Sequence, residues 1–135
     1  MQFELATPTR LVVSSEVDEV VAPGTEGYFG VRPGHEAFLT TLTAGELTYR
    51  QGRDEQHLAV IGGFAEVSGE RVIVLVEGAE RPEEIDRERA ERARKRAEQR
   101  LAGKSPTTPS EEIDYTRALA ALSRALTRLQ VASHA

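Results

Sequence analysis

The sequence predicts an α+β fold, in which an N-terminal all-β sandwich or flattened barrel precedes a C-terminal antiparallel α-helical hairpin. Up to Val76, short runs rich in Val, Ile, Leu, Thr and Phe alternate with Gly or Pro turn signals, as in β-strands. After Gly78 the only further glycine is Gly103, and Ala, Glu, Arg and Leu, which favour helices, dominate. Two domains are therefore predicted, residues 1–82 and 83–135.

Turn signals divide the β-rich half into short extended segments, spaced as in β-sandwiches and barrels. The predicted strands or strand pairs are Phe3–Ala6, Arg10–Val21, Gly27–Val31, Ala37–Leu42, Gly45–Arg50, His57–Ile61, Phe64–Val67 and Arg71–Val76. Pro23-Gly24 and Gly62-Gly63 are predicted to be turns, because glycine adopts positive φ readily and proline cannot donate to a β-ladder. Val72–Val76 is apolar throughout, which predicts a central strand covered on both faces.

Two helices are predicted in the second half. The first begins near Pro82–Glu84, where proline and acidic residues suit a helix N-terminus, and ends near Gly103. Its apolar stripe is mostly alanine, so this helix buries little area and is marginal alone. The second follows a linker at 102–110, with Thr108 as the N-cap of a capping box. Its apolar positions step by four and three residues, as in a two-helix seam: Tyr115, Leu119, Leu122, Leu126 and Leu129.

Composition excludes several classes of protein. The 135 residues contain no cysteine, so neither disulfides nor thiolate metal sites are available. No apolar run approaches the roughly 18 residues of a membrane span, and Met1–Leu5 lacks a signal-peptide pattern. We therefore expect a cytoplasmic protein with no direct membrane insertion. Residues 1–82 carry a net charge of −7 and residues 83–135 one of +2, which indicates different partners for the two halves.

Four segments together resemble one protein family along the whole chain. Residues 24–35 resemble its glycine-spaced loop that ends in Pro-Gly-His, and residues 62–67 resemble its Gly-Gly turn and the strand after it. Residues 79–90, which include Ile-Asp-Arg-Glu-Arg-Ala, resemble its junction and first helix, and residues 113–132 resemble its last helix. The family is that of the epsilon subunits of bacterial-type F-type ATP synthases, called delta in mitochondria.

This resemblance implies a non-catalytic central-stalk subunit of the rotor. Such a subunit binds the gamma subunit and the ring of c subunits, and lies peripherally on the cytoplasmic face of the cell inner membrane. Its hairpin switches between a compact form and an extended form that reaches the catalytic alpha and beta subunits and inhibits ATP hydrolysis. The family requires no cofactor, but in some bacteria the compact hairpin binds ATP as a regulatory ligand.

The resemblance also implies a partner-binding surface in the glycine-spaced loop. Its residues are Glu26, Tyr28, Gly30, Pro33 and His35. From spacing alone the loop is a set of tight turns; it lacks the Lys-Ser/Thr of a phosphate-binding loop and opens no helix. Many family members carry an acidic residue where this chain has Tyr28, so Glu26 is the nearby acid left for a charge contact.

A candidate ATP site lies in the predicted hairpin. Arg89 and Arg96 are seven residues apart and share a helix face, as do Arg124 and Arg128, which are four apart. In an antiparallel hairpin these guanidinium groups converge, and their fork geometry suits phosphates. The alternative is an ordinary ion pair of Asp86 with Arg89. Resemblance to ATP-binding members gives the full set: Glu80, Ile85, Asp86, Arg89, Ala90, Arg96, Arg124 and Arg128.

Other functions find less support. By itself the basic run at 87–100 is a solvated helix face, whereas the resemblance implies attraction to acidic catalytic subunits. Nucleic-acid binding is disfavoured, because the chain carries a net charge of −5 and no aromatic residue interleaves the arginines. No catalytic or metal-ligating residue is predicted, and His57 and His134 are expected to be isolated. A stand-alone ATP-sensing module remains the alternative to a stalk subunit.

Overall fold

A computed structural model describes residues 1–103 and 115–135 of the chain. Its strands are β1 (Gln2–Ala6), β2 (Leu11–Glu16), β3 (Glu19–Gly24), β4 (Gly27–Val31), β5 (Phe38–Leu42), β6 (Gly45–Gln51), β7 (Asp54–Ser68) and β8 (Arg71–Glu80). A 3₁₀ turn at Pro82–Glu84 leads to helices α1 (Arg87–Leu101) and α2 (Tyr115–Ala132). The predicted fold class is confirmed. Among the described residues, no helix is long and apolar enough to cross a membrane.

The long strand β7 belongs to both layers of the sandwich. Its residues 54–60 pair antiparallel with β6, and its residues 63–67 pair with β5. β8 pairs with β7 along most of its length, β1 joins β8 in parallel, and β2 lies outside β1. β3 pairs with β4, β5 and β6, so the path through β7, β5, β3 and β6 closes into a flattened barrel.

Two adjacent glycines bend β7 between its two partners. Gly62 has φ +49° and Gly63 has φ +143°. A Cβ at Gly63 would lie 2.1 Å from the carbonyl oxygen of Leu75 on β8, so the two backbones approach too closely for any side chain. The prediction of a turn at Gly62-Gly63 is therefore wrong. The predicted strands His57–Ile61 and Phe64–Val67 are two halves of one strand, because the glycines bend the chain without ending the ladder.

The core of the sandwich comes from alternate residues of its strands. Burial alternates along β6 from Gly45 to Arg50, as expected for a strand with one face turned inward. The largest fully buried side chains include Phe3, Leu5, Leu47 and Leu58. Phe3 also contacts the ring of Tyr49, with ring centroids 5.3 Å apart.

β8 is central in the sheet but is not covered on both faces. It lies between β1 and β7, and Val72, Val74 and Val76 point into the core. Leu75 points the other way and keeps 42% of its surface exposed. The prediction of double coverage is wrong because the helical hairpin does not lie over this outer face.

Strand boundaries near the start of the chain also differ from the prediction. The segment Arg10–Val21 forms a strand pair, β2 and β3, separated by Val17-Asp18. Pro23 and Gly24 end β3 rather than forming the turn, which lies at Thr25-Glu26. Gly24 pairs with Gly27 across this turn. Because Gly24 has no side chain, the carbonyl oxygen of Gly27 can approach it closely; a Cβ added to Gly24 would lie 2.8 Å from that oxygen.

Helix α1 begins later than predicted and ends where predicted. Ile85 is extended, with φ −81° and ψ +126°, and separates the 3₁₀ turn from α1. Asp86 then caps α1, because its side chain accepts a hydrogen bond from the backbone N–H of Arg89 at 3.1 Å. After Leu101, Gly103 adopts φ +75°, as expected of a helix stop. Most of the predicted linker at 102–110 and the predicted capping box lie outside the described residues.

The two helices pack antiparallel through alanine. Arg87 at the start of α1 donates a hydrogen bond to the carbonyl of Ala132 at the end of α2. The buried residues of the contact are Ala90, Ala97, Ala118 and Ala125. The predicted leucine seam is wrong, since Leu119 and Leu126 are 57% and 48% exposed. The alanine stripe of α1 is met by alanines of α2, which allows close approach and turns Leu119 and Leu126 outward.

Replacing Gly63 by alanine should destabilise the sandwich by about 3 kcal/mol or more, because a clash with β8 adds to the strain of positive φ. Urea unfolding measures the loss. Gly69→Ala is the matched control: its φ is +58° but no atom lies within 4 Å of an added Cβ, so its cost should be about 1 kcal/mol. Equal losses in the two variants would show that the close approach of β8 does not require glycine.

Candidate functional site

A cleft of about 630 Å³ lies between α1 and α2 and extends to the end of β8. This volume lies within the range of small-molecule sites, about 300–1,000 Å³. Alanines form its floor, and charged side chains form its walls. The lining residues are Glu80, Glu84, Asp86, Arg89, Ala90, Ala93, Arg96, Ala97, Arg100, Arg117, Ala118, Ala120, Ala121, Arg124, Ala125 and Arg128.

The cleft brings together seven of the eight residues predicted for the ATP site. They are Glu80, Asp86, Arg89, Ala90, Arg96, Arg124 and Arg128. Ile85 is the exception, because its side chain is buried in a small apolar cluster with Ala59, Val131 and Ala132. Ile85 therefore holds α2 against the sandwich instead of lining the cleft.

Six arginines give the cleft a strong positive charge. Three lie on α1 and three on α2: Arg89, Arg96, Arg100, Arg117, Arg124 and Arg128. Arg128 donates a hydrogen bond from Nε to Glu80 Oε1 at 2.5 Å. Within the described part of the chain, the guanidinium groups of Arg89, Arg96, Arg100 and Arg124 have no carboxylate partner. Guanidinium groups that converge without carboxylates form a site suited to a polyanion.

Three carboxylates occupy the end of the cleft nearest the sandwich. Glu80 pairs with Arg128, and Glu84 pairs with Arg10 at 3.1 Å from across the junction. Asp86 accepts from the backbone N–H of Arg89, so the alternative of an Asp86–Arg89 side-chain ion pair is not what the structure has. The arginine-rich and acidic ends suit a ligand with a phosphate chain and a neutral, hydrogen-bonding group.

The sequence interpretation missed several lining residues. Arg100 lies four residues after Arg96, and Arg117 lies seven before Arg124, so both extend the predicted stripes by one more helical step. Helical spacing alone would have found these two. Glu84 gave no such signal, because it reaches the cleft from the 3₁₀ turn and not from α1.

The pKa of Glu84 is lowered in the folded protein. The main cause is the hydrogen bond that its Oε1 accepts from the backbone N–H of Arg81 at 2.9 Å. The guanidinium of Arg10, which donates to both carboxylate oxygens, adds to the lowering, while partial burial opposes it. Glu84 thus fixes the 3₁₀ turn at the entrance of the cleft.

The predicted partner-binding residues lie along β4 and in the turns on either side of it. Glu26 is in the turn after β3, Tyr28 and Gly30 are on β4, and Pro33 and His35 are in the loop before β5. All five are exposed except His35, which is partly buried. The Tyr28 hydroxyl accepts a hydrogen bond from the backbone N–H of Glu46 at 3.1 Å, so this side chain has a structural role as well.

Aromatic contacts give the loop around His35 a defined shape. Its ring lies edge-on to Phe38, with ring centroids 6.2 Å apart, and Phe38 in turn packs edge-on against Phe29. On the same β4 end, Arg32 pairs with Glu19 at 2.8 Å, which raises the pKa of the Arg32 guanidinium. The loop therefore presents a fixed surface.

An apolar row crosses the outer face of the sandwich. Leu11, Ala6, Leu75 and Phe64 are neighbours in register across β2, β1, β8 and β7. Three of these side chains are exposed, and Leu39 on β5 is exposed on the same face. Contiguous exposed apolar side chains are typical of a protein-binding surface.

The expectation that His57 and His134 are isolated is wrong. Their rings stack in parallel with centroids 3.6 Å apart, and both lie next to Glu46. The three groups form a possible metal-ligand set, since one ligand atom from each lies within 4.8 Å of the others. No sequence spacing signals this cluster, because its members come from β6, β7 and the chain end after α2.

The protein is a β-sandwich joined to a basic helical hairpin with an arginine-lined cleft. Comparison with known proteins identifies the family to which such a chain belongs. Residues 1–82 match the profile for "ATP synthase, Delta/Epsilon chain, beta-sandwich domain", and residues 83–133 match that for "ATP synthase, Delta/Epsilon chain, long alpha-helix domain". The chain therefore belongs to the ATP synthase delta/epsilon family.

Individual relatives narrow this to epsilon chains. The chain is 50% identical over 135 residues to the ATP synthase epsilon chain of Nitratidesulfovibrio vulgaris, covering 100% of this chain and 97% of that one. It is 51% identical over 132 residues to the epsilon chain of Geobacter metallireducens, covering 98% and 93%. The predicted resemblance is confirmed.

Solved structures agree with this assignment. The chain is similar, with a TM-score of 0.79 and 27% identity, to a chain in a cryo-EM structure of the Euglena gracilis mitochondrial ATP synthase, OSCP/F1/c-ring; the match covers 98% of this chain and 80% of that one. A chain of the Tetrahymena thermophila mitochondrial ATP synthase central stalk and c-ring shares the fold, with a TM-score of 0.57 and 14% identity over 98% and 93% of the two chains.

Glu84→Gln should reduce stability at neutral pH by up to about 1 kcal/mol, as for exposed ion pairs. The folded pKa is lower than the ordinary value of 4.5, so the ionised carboxylate stabilises the fold above that value. This contribution is lost as pH falls through the folded pKa. Urea unfolding from pH 7 to pH 3 should show the difference from the native chain shrinking in acid. Glu83→Gln, a change at the exposed neighbour, is the control, and a difference that stays constant with pH would contradict the role of Glu84.

Proposed function

We propose that this chain is a non-catalytic rotor-stalk subunit of the F-type ATP synthase, with a hairpin that binds ATP when compact and inhibits ATP hydrolysis when extended. Its partners would be the gamma subunit, the c-ring and the catalytic alpha and beta subunits. It would act as a peripheral protein on the cytoplasmic face of the membrane. Family membership and the likeness to a chain of an F1/c-ring assembly support the stalk role.

The arginine-lined cleft carries the regulatory part of the proposal. Four guanidinium groups there have no carboxylate partner among the described residues, and their mutual repulsion opposes the packing of α1 on α2. A bound triphosphate would neutralise this charge and favour the compact form. At the acidic end, Glu80 and Asp86 offer acceptors for the N–H and O–H groups of a nucleoside.

The contact between the hairpin and the sandwich, here called the seat of the hairpin, is small, which supports the proposed release of the hairpin. The apolar part of this seat is a cluster of four residues: Ala59, Ile85, Val131 and Ala132. Around it lie the Arg128–Glu80 ion pair and a hydrogen bond from Gln130 to Glu46 at 3.3 Å. A contact this small stabilises the compact form only modestly, at about 25 cal/mol per Å² of buried apolar area.

The exposed leucines of α2 also fit a hairpin with two positions. Tyr115, Leu119 and Leu126 are exposed in the compact form. A helix that leaves an apolar ridge in water has surface available for a second packing arrangement. In the extended form this ridge would pack against the catalytic subunits, with the basic residues of α1 providing electrostatic attraction.

Two surfaces of the sandwich remain for the other stalk partners. The apolar row through Leu11, Leu75 and Phe64 fits the broad contact with the gamma subunit. The surface of the turns that flank β4, with Glu26, Pro33 and His35, fits a contact with the c-ring. A stand-alone ATP-sensing module would need neither surface, and stable co-purification with the gamma subunit distinguishes the two functions.

ATP should bind the isolated chain at one site, as calorimetry would measure. Arg89→Ala should weaken binding by about 10-fold to 100-fold, because a charge-assisted hydrogen bond contributes roughly 1.5–3 kcal/mol. Arg92→Ala is the matched control, since Arg92 is on α1 but outside the cleft. No binding up to millimolar ATP, or equal binding in both variants, would refute the nucleotide site and leave the stalk role standing.

Val131→Asp should strengthen inhibition of ATP hydrolysis when the chain is assembled with its catalytic complex. Val131 is fully buried in the seat of the hairpin, and a charge there favours release of α2 from the sandwich. The rate of ATP hydrolysis at fixed ATP should fall by about 3-fold or more relative to the complex with the native chain, the change for roughly 0.7 kcal/mol. Ser133→Asp, an exposed change two residues later, should have little effect. A faster rate with Val131→Asp would contradict inhibition by the released hairpin.

A further inference from the structure

Three side chains from different elements meet where the chain end lies on the sandwich. Glu46 is on β6, His57 is on β7, and His134 is two residues beyond α2. Glu46 Oε1 lies 2.8 Å from His134 Nε2 and 3.5 Å from His57 Nδ1. One carboxylate oxygen thus faces a nitrogen of each imidazole.

Two of these polar atoms are buried without a hydrogen bond. Within the described residues, Glu46 Oε1 and His57 Nδ1 have no hydrogen-bond partner, although His134 Nε2 lies close to the first. A buried polar atom without a partner is costly and calls for a ligand or another explanation. The two atoms lie 3.5 Å apart, close enough for one ligand to contact both.

The neighbouring groups orient the cluster for a cation. Gln130 donates a hydrogen bond to Glu46 Oε2, the carboxylate oxygen that does not face the histidines. Glu55 lies 4.0 Å from His57 Nε2, the nitrogen on the far side of the ring. With an ion bound at Nδ1, the Nε2–H would face this carboxylate, as in the carboxylate–histidine arrangement of metal sites.

We infer that Glu46, His57 and His134 form a binding site for a divalent transition-metal ion such as Zn²⁺. Two imidazoles and one carboxylate are borderline ligands that suit Zn²⁺, Ni²⁺ or Cu²⁺ rather than Mg²⁺ or Ca²⁺. Parallel stacked rings cannot both direct a lone pair at one ion, so one ring must rotate on binding. His134 has room to do so because its side chain is 37% exposed and lies beyond the end of α2.

Such an ion would join the end of the hairpin to the sandwich. Two of its ligands belong to the sandwich and the third leaves with α2, so the complete site exists only in the compact form. An ion at 100 times its dissociation constant would favour that form by about 100-fold. This consequence, unlike the site itself, depends on the proposed release of the hairpin.

Titration of the full-length chain with ZnCl₂ by calorimetry, in a buffer that does not chelate metals, tests the site. One ion should bind per chain, with binding at least about 10-fold weaker in His134→Ala and in His57→Ala. His35→Ala, which removes the histidine outside the cluster, should bind as the native chain does. The melting temperature should rise with Zn²⁺ in the native chain but not in His134→Ala, a change at an exposed side chain that leaves the buried core unaltered.

No binding by the native chain, or equal binding by all variants, would overturn the metal site and leave the cluster as a polar contact. Mg²⁺ at the same concentration should neither bind nor compete, and competition by Mg²⁺ would also contradict the proposed ligand set. Arg89→Ala should bind Zn²⁺ normally. A chain that binds Zn²⁺ but not ATP would separate failure of the nucleotide site from failure of the metal site.

Discussion

The packing of the last turn of α2 on the sandwich determines where the rest of the C-terminal half lies. Val131 and Ala132 contact Ala59 and Ile85, and this contact places the start of α1 beside the end of α2. The arginines of the cleft converge because of that alignment and of the alanine packing between the two helices. The small apolar contact between α2 and the sandwich therefore helps to position the much larger charged surface of the cleft. A group that stabilises this contact also stabilises the arrangement of the cleft.

The two halves of the chain differ in how much buried apolar surface stabilises them. The sandwich is a dense apolar core closed by backbone ladders, with Phe3, Leu5 and Leu47 fully buried. The hairpin has an alanine contact and an exposed leucine ridge, and among the described residues four arginines of its cleft have no carboxylate partner. Local opening follows the elements with few buried apolar contacts, so we expect the hairpin to separate from an intact sandwich well before global unfolding.

Sequence reasoning succeeded where a periodic pattern had one structural solution. The alternating strands gave the sandwich, and steps of seven and four residues placed Arg89, Arg96, Arg124 and Arg128 on facing sides of one cleft. It failed on the leucine seam, because alanine and leucine stripes share the same helical period and only packing selects between them. It missed Glu46, His57 and His134, since no local pattern encodes where a distant chain end lies.

β7 is one continuous strand that bends at Gly62-Gly63 and runs through both layers. Its first half carries His57 and Ala59 under the hairpin, and its second half carries Phe64 on the opposite, outer face. These positions are seven residues apart at most, or roughly 23 Å of extended chain. Force applied to the outer face would reach the hairpin seat through covalent bonds and ladder hydrogen bonds rather than through deformable side-chain contacts. β7 could thus transmit force from the outer face of the sandwich to the contact that holds the hairpin in place.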